Sequence, residues 1–408
     1  MNFKKILLVI SFLILVLLLG FALYFVFFKT NDPGLVNDNT NYNGGVIPGT
    51  NQQGPNIVNQ NTNSNQGLGW QDIFTDKISD VANGGLTKVT KLSTGSVGGL
   101  DLTDKGLKYY DETKQQFFRV NAQGEPELIT DKKFFQVKNV LWAPNDDKAI
   151  LEYPDGMNVL YNFRTGKQVT LPAELEKFSF SPSGQEITAA WIGSQAEDNW
   201  LVVANDDGSG LSLVEPLGDQ VADVQVGFSP DGQVAALYRK SYDLQRQEVF
   251  PIGLHGENLR SFVVQGSGFE STWSPEGNSL LYSVYSETTD YLPNLWVTGG
   301  KTSALGDLKV SLNLATWPDK CSFGGENSLY CAVPQGLPRG VGLYPEIADT
   351  YTDNFYYIDL NTGTKTLLAS PVGESGGYAA YNLQVSADGS VLYFTDQNTG
   401  SLQSIRLK

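Results

Sequence analysis

A tight turn recurs along this chain, and it limits the possible folds more than any other feature. Ser181-Pro182-Ser183-Gly184, Ser229-Pro230-Asp231-Gly232 and Ser274-Pro275-Glu276-Gly277 each follow an apolar residue and precede a run of β-branched and aromatic residues; Ser386-Ala387-Asp388-Gly389 is a near copy. Degenerate copies stand at Ala143-Pro144-Asn145-Asp146, Trp317-Pro318-Asp319-Lys320 and Thr103-Asp104-Lys105-Gly106. Proline presets φ near −65°, Asp or Asn bonds to the local backbone, and Gly takes the left-handed position without steric cost.

Each turn leads into an inner strand, such as Ile187–Trp191, Val234–Tyr238 or Leu280–Val284. A third strand follows (Trp200–Asn205, Asn294–Thr298), then a second turn and a fourth strand (Ser212–Glu215, Leu259–Val264). Four short antiparallel strands repeating every ~40–50 residues form the blade of an all-β propeller. The pattern predicts seven four-stranded blades over residues 87–408. The last unit ends on its third strand, Ser401–Leu407, and Thr87–Ser93 is the expected donor of its fourth, a clasp of the two termini that leaves no open sheet edge.

These Ser-Pro-Asp-Gly turns and the strands after them resemble the WD40-like blades of TolB-type propellers, over residues 87–408. The resemblance implies the fold and, by association, binding of proteins or peptides at a propeller face. The chain departs from TolB in having no N-terminal α/β domain.

Ahead of the repeats lie three different stretches. Residues 6–28 are an uncharged apolar run preceded by Lys4 and Lys5. That length spans ~30 Å of hydrocarbon, and the flanking lysines keep residues 1–5 in the cytoplasm. The reading is one transmembrane signal anchor in the cytoplasmic membrane, single-pass, with everything after it outside the cytoplasm; the rival is a cleaved signal peptide. Residues 29–69, rich in Asn, Gln and Gly, have too little apolar surface to form a core and read as a tether with a reach of roughly 35 Å. Over residues 70–86, Trp70, Ile73, Phe74, Ile78 and Val81 fall at helical spacing and predict a short helix against the propeller.

Composition removes several functions. A net charge of −16 leaves no basic surface for nucleic acid. With one histidine, His255, and two cysteines, few metal or acid–base constellations can form, so no metal, cofactor or catalytic residue is expected and the chain reads as a non-enzyme. Gly373-Glu374-Ser375-Gly376-Gly377 matches a nucleophile elbow in letters, but it lies between β-strands and has only His255 as a candidate base. Asn205–Gly210 faintly resembles a calcium loop and falls where each blade needs a turn. Cys321 and Cys331, in an exported chain, suggest a disulfide; two buried thiols are the alternative.

The loops between second and third strands lengthen in units three to six: Gly193–Asn199, Arg239–Gln247, Tyr285–Pro293 and Pro334–Asn354. They carry Tyr242, Asp243, Arg246, Asp290, Tyr291, Arg339, Tyr344, Tyr351 and Asp353, residue types enriched at interfaces. The expectation is a cell-envelope scaffold that binds a protein or peptide there. The alternatives are a glycan or cell-wall binder stacking sugars on the aromatics, and a propeller hydrolase working through carboxylates alone.

Overall fold

In the computed structural model of the protein, residues 77–121, 124–144, 148–373 and 376–408 are described. The strands, in order, are β1 (Gly85–Lys88), β2 (Thr90–Thr103), β3 (Gly106–Asp111), β4 (Gln116–Val120), β5 (Pro126–Leu128), β6 (Asn139–Trp142), β7 (Lys148–Glu152), β8 (Asn158–Asn162) and β9 (Gln168–Leu171). They continue with β10 (Leu175–Phe180), β11 (Glu186–Trp191), β12 (Trp200–Asn205), β13 (Ser212–Pro216), β14 (Val224–Val226), β15 (Val234–Ser241), β16 (Gln247–Gly253), β17 (Phe262–Val264) and β18 (Ser267–Trp273). The remainder are β19 (Ser279–Tyr285), β20 (Pro293–Gly299), β21 (Val310–Ser311), β22 (Cys321–Phe323), β23 (Ser328–Pro334), β24 (Asp353–Asp359), β25 (Thr364–Val372), β26 (Ala380–Val385), β27 (Val391–Asp396) and β28 (Ser401–Arg406).

The fold is an all-β propeller, but not of seven separate four-stranded blades. Five discrete blades are present: A (β6–β9), B (β10–β13), C (β14–β17), D (β18–β21) and E (β22–β25, extended by β1). The other strands form one composite seven-stranded sheet, ordered β26-β27-β28-β2-β3-β4-β5. The reason is β2, whose 14 residues pair first with β28 and then with β3, so the first and last expected units merge. The expected clasp, Thr87–Ser93, is likewise divided. Gly85–Lys88 runs parallel to β25 as a fifth strand of blade E, and the pairing with β28 is made by Thr90, Lys91 and Ser96.

Two further expectations change. The apolar run 6–28 lies outside the described residues, and among those described no helix is long and apolar enough to cross a membrane. Of the helix predicted over 70–86, residues 77–86 are not helical: Ser79 bridges Thr87, Asn83-Gly84-Gly85 interrupts any helical continuation, and Gly84 sits at φ 90°. Trp70, Ile73 and Phe74 fall outside the described residues.

The core lies between neighbouring sheets, not at the ring's centre. Ile150, Leu160 and Leu171 of blade A pack on Phe178, Ile187 and Val202 of blade B, and Leu281 and Leu295 of blade D on Leu329, Cys331 and Ile358 of blade E. Burying one such side chain contributes ~1.5–3 kcal/mol.

Because successive strands in a blade are antiparallel, their connections alternate between two faces. The turns joining first to second and third to fourth strands make one, here the turn face. The loops joining second to third strands, and the links to the next sheet, make the other, the loop face. The Ser-Pro-Asp-Gly turns hold the turn face rigid. In each of four copies the glycine has φ between 65° and 73° and donates its N–H to the carbonyl of the turn's serine. The serine hydroxyl in turn accepts the N–H that opens the next strand: Glu186 to Ser181 at 3.2 Å, Val234 to Ser229 at 3.0 Å, Ser279 to Ser274 at 3.0 Å and Val391 to Ser386 at 2.9 Å.

Candidate functional site

The innermost strand of several sheets carries a bulge with a left-handed residue. It is Gly99 in β2, Lys177 in β10, Gly268 in β18 and Asn382 in β26, each where the pairing register shifts. A bulge bends its strand and re-aims the side chains that follow. In β18 the register resumes at Glu270, opposite Ser283.

Glu270 lines a cavity of about 410 Å³ on the loop-face side of blades B, C and D, together with Asp319, Arg239, Lys177 and the apolar Phe269 and Pro318. The surrounding polar groups are tied down. Gln225 donates to the Ser271 carbonyl at 2.6 Å and accepts from the Ser271 N–H at 3.1 Å and hydroxyl at 3.0 Å, joining β14 to β18. Arg239 donates to the Phe269 carbonyl at 2.7 Å, and Lys177 to the Val221 carbonyl at 2.6 Å.

Glu270 and Asp319 are open to solvent by surface area, but they are crowded by protein around the cavity wall. Crowding raises both pKa values. For Glu270 loss of hydration dominates and the charge of Asp319 adds to it, against the pull of Arg239. For Asp319 loss of hydration again dominates, Lys320 opposes it, and Asp349 adds a smaller push upward. Two carboxyls that resist ionisation on one cavity wall can take a cationic group, whose charge would restore both to their ionised form. Such a pair is also the residue type of general acid–base chemistry.

Asp319 is carried by a 3₁₀ turn, Pro318–Lys320, that leads into β22. Sequence reading took this stretch for a turn between the first and second strands of a blade; it is instead the link into blade E. Trp317 just before it packs under the long loop between β23 and β24, against Leu337, Val341 and Ala348, with Leu292 of the β19–β20 loop. Behind the turn lies a dry ion pair. Lys320 Nζ donates to Asp353 Oδ2 at 3.0 Å and to the Ala380 carbonyl at 2.7 Å, while the Ala380 N–H donates back to Asp353 Oδ2 at 2.6 Å. Loss of hydration dominates at Asp353 and pushes its pKa up to about 6 despite Lys320.

The nine loop residues expected to meet a partner fall into separate groups. Tyr242, Asp243 and Arg246 belong to one hairpin turn, shorter than expected because β15 runs on to Ser241. There Arg246 bonds Asp243 at 2.8 Å and lies 4.7 Å over the Tyr242 ring, so the polar groups satisfy one another. Asp290, Tyr291 and Arg339 come together where two loops brace each other. Arg339 reaches Asp290 at 3.4 Å, Gly340 N–H bonds the Asp290 carbonyl, and Gly342 N–H bonds the Tyr291 carbonyl. Asp290 and Tyr291 both have positive φ, 53° and 55°, a conformation this bracing over-determines. Tyr344 is exposed on that platform, Tyr351 is half-buried, and Asp353 is the buried partner of Lys320, removed from any surface.

Sequence reasoning missed Glu270, Asp319, Asp349, Lys177 and Arg239. A usable signal existed at Glu270: a Gly-Ser-Gly run at 266–268 inside a strand pattern marks a bulge next to a close approach. Of the other motifs, Asn205–Gly210 forms an ordinary turn, with Ser209 donating to Asp207. Glu374 and Ser375 lie outside the described residues. Cys321 and Cys331 are bonded to each other, directly opposite across β22 and β23. Among the described residues no group of three or more His, Cys, Asp or Glu side chains could hold a metal.

No known protein family matches the chain, and no curated protein matches it. Solved structures do. The β-propeller domain of Cps50 (Swd1) from Myceliophteria thermophila is similar, with a TM-score of 0.51 at 9% identity, over 78% of this chain and 100% of that one. An oligogalacturonate lyase in complex with manganese aligns with a TM-score of 0.49 at 12% identity, over 78% of this chain and 93% of its own. The tricorn protease aligns at 0.47 and 11%, over 78% of this chain, which spans about a third (34%) of the protease. At such identities the likeness shows the fold alone. The expectation of a non-enzyme, drawn from missing catalytic motifs, is not retained, because one fold hosts unrelated functions and a propeller by itself does not decide between enzyme and binder.

Proposed function

We propose that this propeller binds a protein or peptide partner through its loop face, with a cationic element of the partner seated against Glu270 and Asp319. One observation carries the reading. Of the thirteen exposed large apolar side chains among the described residues, seven sit in loop-face connections: Phe135, Met157, Tyr242, Leu244, Leu343, Tyr344 and Ile347. The turn face has one, Leu308; the rest lie on outer strands and the lead-in. Exposed apolar groups concentrated on one side of a soluble scaffold mark an interaction surface. The acidic cavity on the same face favours a basic partner over an anionic lipid surface.

The apolar run 6–28 holds the chain to the cytoplasmic membrane with the propeller outside. The Cys321–Cys331 disulfide supports an oxidising, exported setting. A photo-crosslinking residue placed at Tyr344, in cells that make the protein, should capture a defined partner, and one placed at Leu308 should not. Equal capture at both positions, or a polysaccharide as the sole product at Tyr344, would overturn the protein-binding reading.

A second reading rests on the raised pKa values of Glu270 and Asp319. Two carboxyls facing one cavity could cleave a glycosidic bond, one as acid and one as base or nucleophile. Any hydrolysis by the purified chain should then fall by at least about 100-fold in both Glu270→Gln and Asp319→Asn. Activity that survives both substitutions places the chemistry elsewhere.

A further inference from the structure

A short strand leaves the outer edge of blade C partly uncovered. β16 runs from Gln247 to Gly253, but β17 pairs only with Gln247, Glu248 and Val249, so Phe250–Gly253 has no strand on that side. Phe250 stands opposite Tyr238 on β15, and the two rings stack at 5.9 Å with 30° between their planes. Ile252 shares their face of the sheet, and with Tyr238 it packs against Leu217 and Val224 in the core between blades B and C.

A groove of about 520 Å³ opens there between the two blades, with Tyr238, Phe250, Pro251, Ile252 and Leu259 along its apolar wall. That volume is typical of a small-ligand site. The side chains of Glu215, Gln220, Lys240 and Asn258 are exposed on its rim and form no hydrogen bond or ion pair within the described residues. By contrast, Lys177, Gln225 and Arg239 beside the acidic cavity and Arg246 in the Tyr242 hairpin are each bonded to protein. The groove therefore joins an aromatic pair to a set of polar groups that are not engaged by the fold.

We infer that this groove between blades B and C binds a neutral oligosaccharide. A pyranose ring presents C–H groups on its faces and hydroxyls at its edge, so a face can lie on the Tyr238–Phe250 pair while the edge reaches the rim. There Glu215 accepts from hydroxyls, Lys240 donates to them, and the amides of Gln220 and Asn258 do both. A peptide added as a further strand is a poorer occupant, because Pro251 in the uncovered stretch has no N–H to give it. A uronate chain is disfavoured by charge. Glu215 and Glu257 line the groove, and loss of hydration followed by the charges of Asp223 and Asp219 raises the pKa of Tyr238. The inference does not rest on the loop-face reading.

The test is calorimetric titration of the full-length chain with cellotetraose and chitotetraose, with tetragalacturonate as the acidic control. Saturable binding of at least one neutral tetrasaccharide is expected, with tetragalacturonate at least about tenfold weaker. Gln220→Ala with Asn258→Ala should weaken binding at least about tenfold; both side chains are exposed and unbonded, so the fold survives. Tyr238→Phe keeps the ring and should retain most of the affinity, whereas Tyr238→Ala should abolish it. Tyr344→Ala on the loop face should leave binding unchanged. No heat from either neutral tetrasaccharide at about 1 mM, unchanged affinity in the Gln220 and Asn258 double variant, a loss in Tyr344→Ala, or equal binding of tetragalacturonate would each overturn the inference.

Discussion

The two faces of the ring are built on opposite principles. The turn face repeats one short motif, locked by serine hydroxyls, and carries one exposed large apolar side chain. The loop face has connections that differ in every blade, two positive-φ residues held by a neighbouring loop, and seven exposed apolar tips. Each face also buries a lysine against a single carboxylate, and the settings differ. The Lys320–Asp353 pair is dry, with side chains 9% and 0% exposed, whereas beside Lys108 the Asp101 carboxylate remains 34% exposed. The dry pair ties the base of the long β23–β24 loop to β26.

The contrast can be broken at the lysines. Asp353→Ala leaves Lys320 buried and unpaired and should cost about 3–5 kcal/mol. Asp101→Ala, with water able to reach Lys108, should cost about 1.5–3 kcal/mol. Urea unfolding of both variants checks the order. Equal losses would show that the two pairs share one environment.

Acidity sharpens the same point. The carboxyl of Asp353 has a pKa near 6 in the folded chain and about 3.9 when unfolded, so between these values the native state holds the extra proton. Its contribution to stability is complete below pH 4 and is lost as pH rises through 6, by about 3 kcal/mol. The difference in unfolding free energy between wild type and Asp353→Asn should therefore change across pH 4–7 and be flat above pH 7. A difference constant throughout would remove the pKa from the account.

The disulfide comes next in size. Cys321 and Cys331 close a short hairpin beside the D–E core, and Cys331 is fully buried in that core. Cys321→Ser with Cys331→Ser should lose about 2–3 kcal/mol, the closure entropy of a short loop. Thermal melts in the presence and absence of reductant should show the same gap.

What could be read from sequence tracks this division of faces. The turns were legible because their chemistry is local: Pro, Asp and Gly each act within four residues. Blade fusion was not, because whether β2 pairs once or twice depends on strands some three hundred residues away. The loop residues were chosen by type and loop length. That selected exposed Tyr344 and buried Asp353 with equal weight, since nothing local reports that Asp353 would meet Lys320. The acidic cavity escaped for a related reason. Its two carboxylates come from a bulge and from a link between blades, and only the closed ring makes them neighbours.

The smallest expected effect tests whether the turn face owes its regularity to the serines. Proline and glycine set the turn's dihedrals, but neither can satisfy the N–H that opens the second strand, and the hydroxyl does so in all four copies. In Ser229→Ala the Val234 N–H still meets no water, since Val234 and Ser229 are both buried, and about 1 kcal/mol should be lost. The matching change at Ser386 should cost less, because Val391 there is only half-buried and solvent can replace the hydroxyl. Chemical denaturation of the two single variants, with hydrogen exchange at Val234 and Val391, separates these cases. A loss that is equal at both sites would mean that the serine acts through the conformation of the turn and not through the strand it opens.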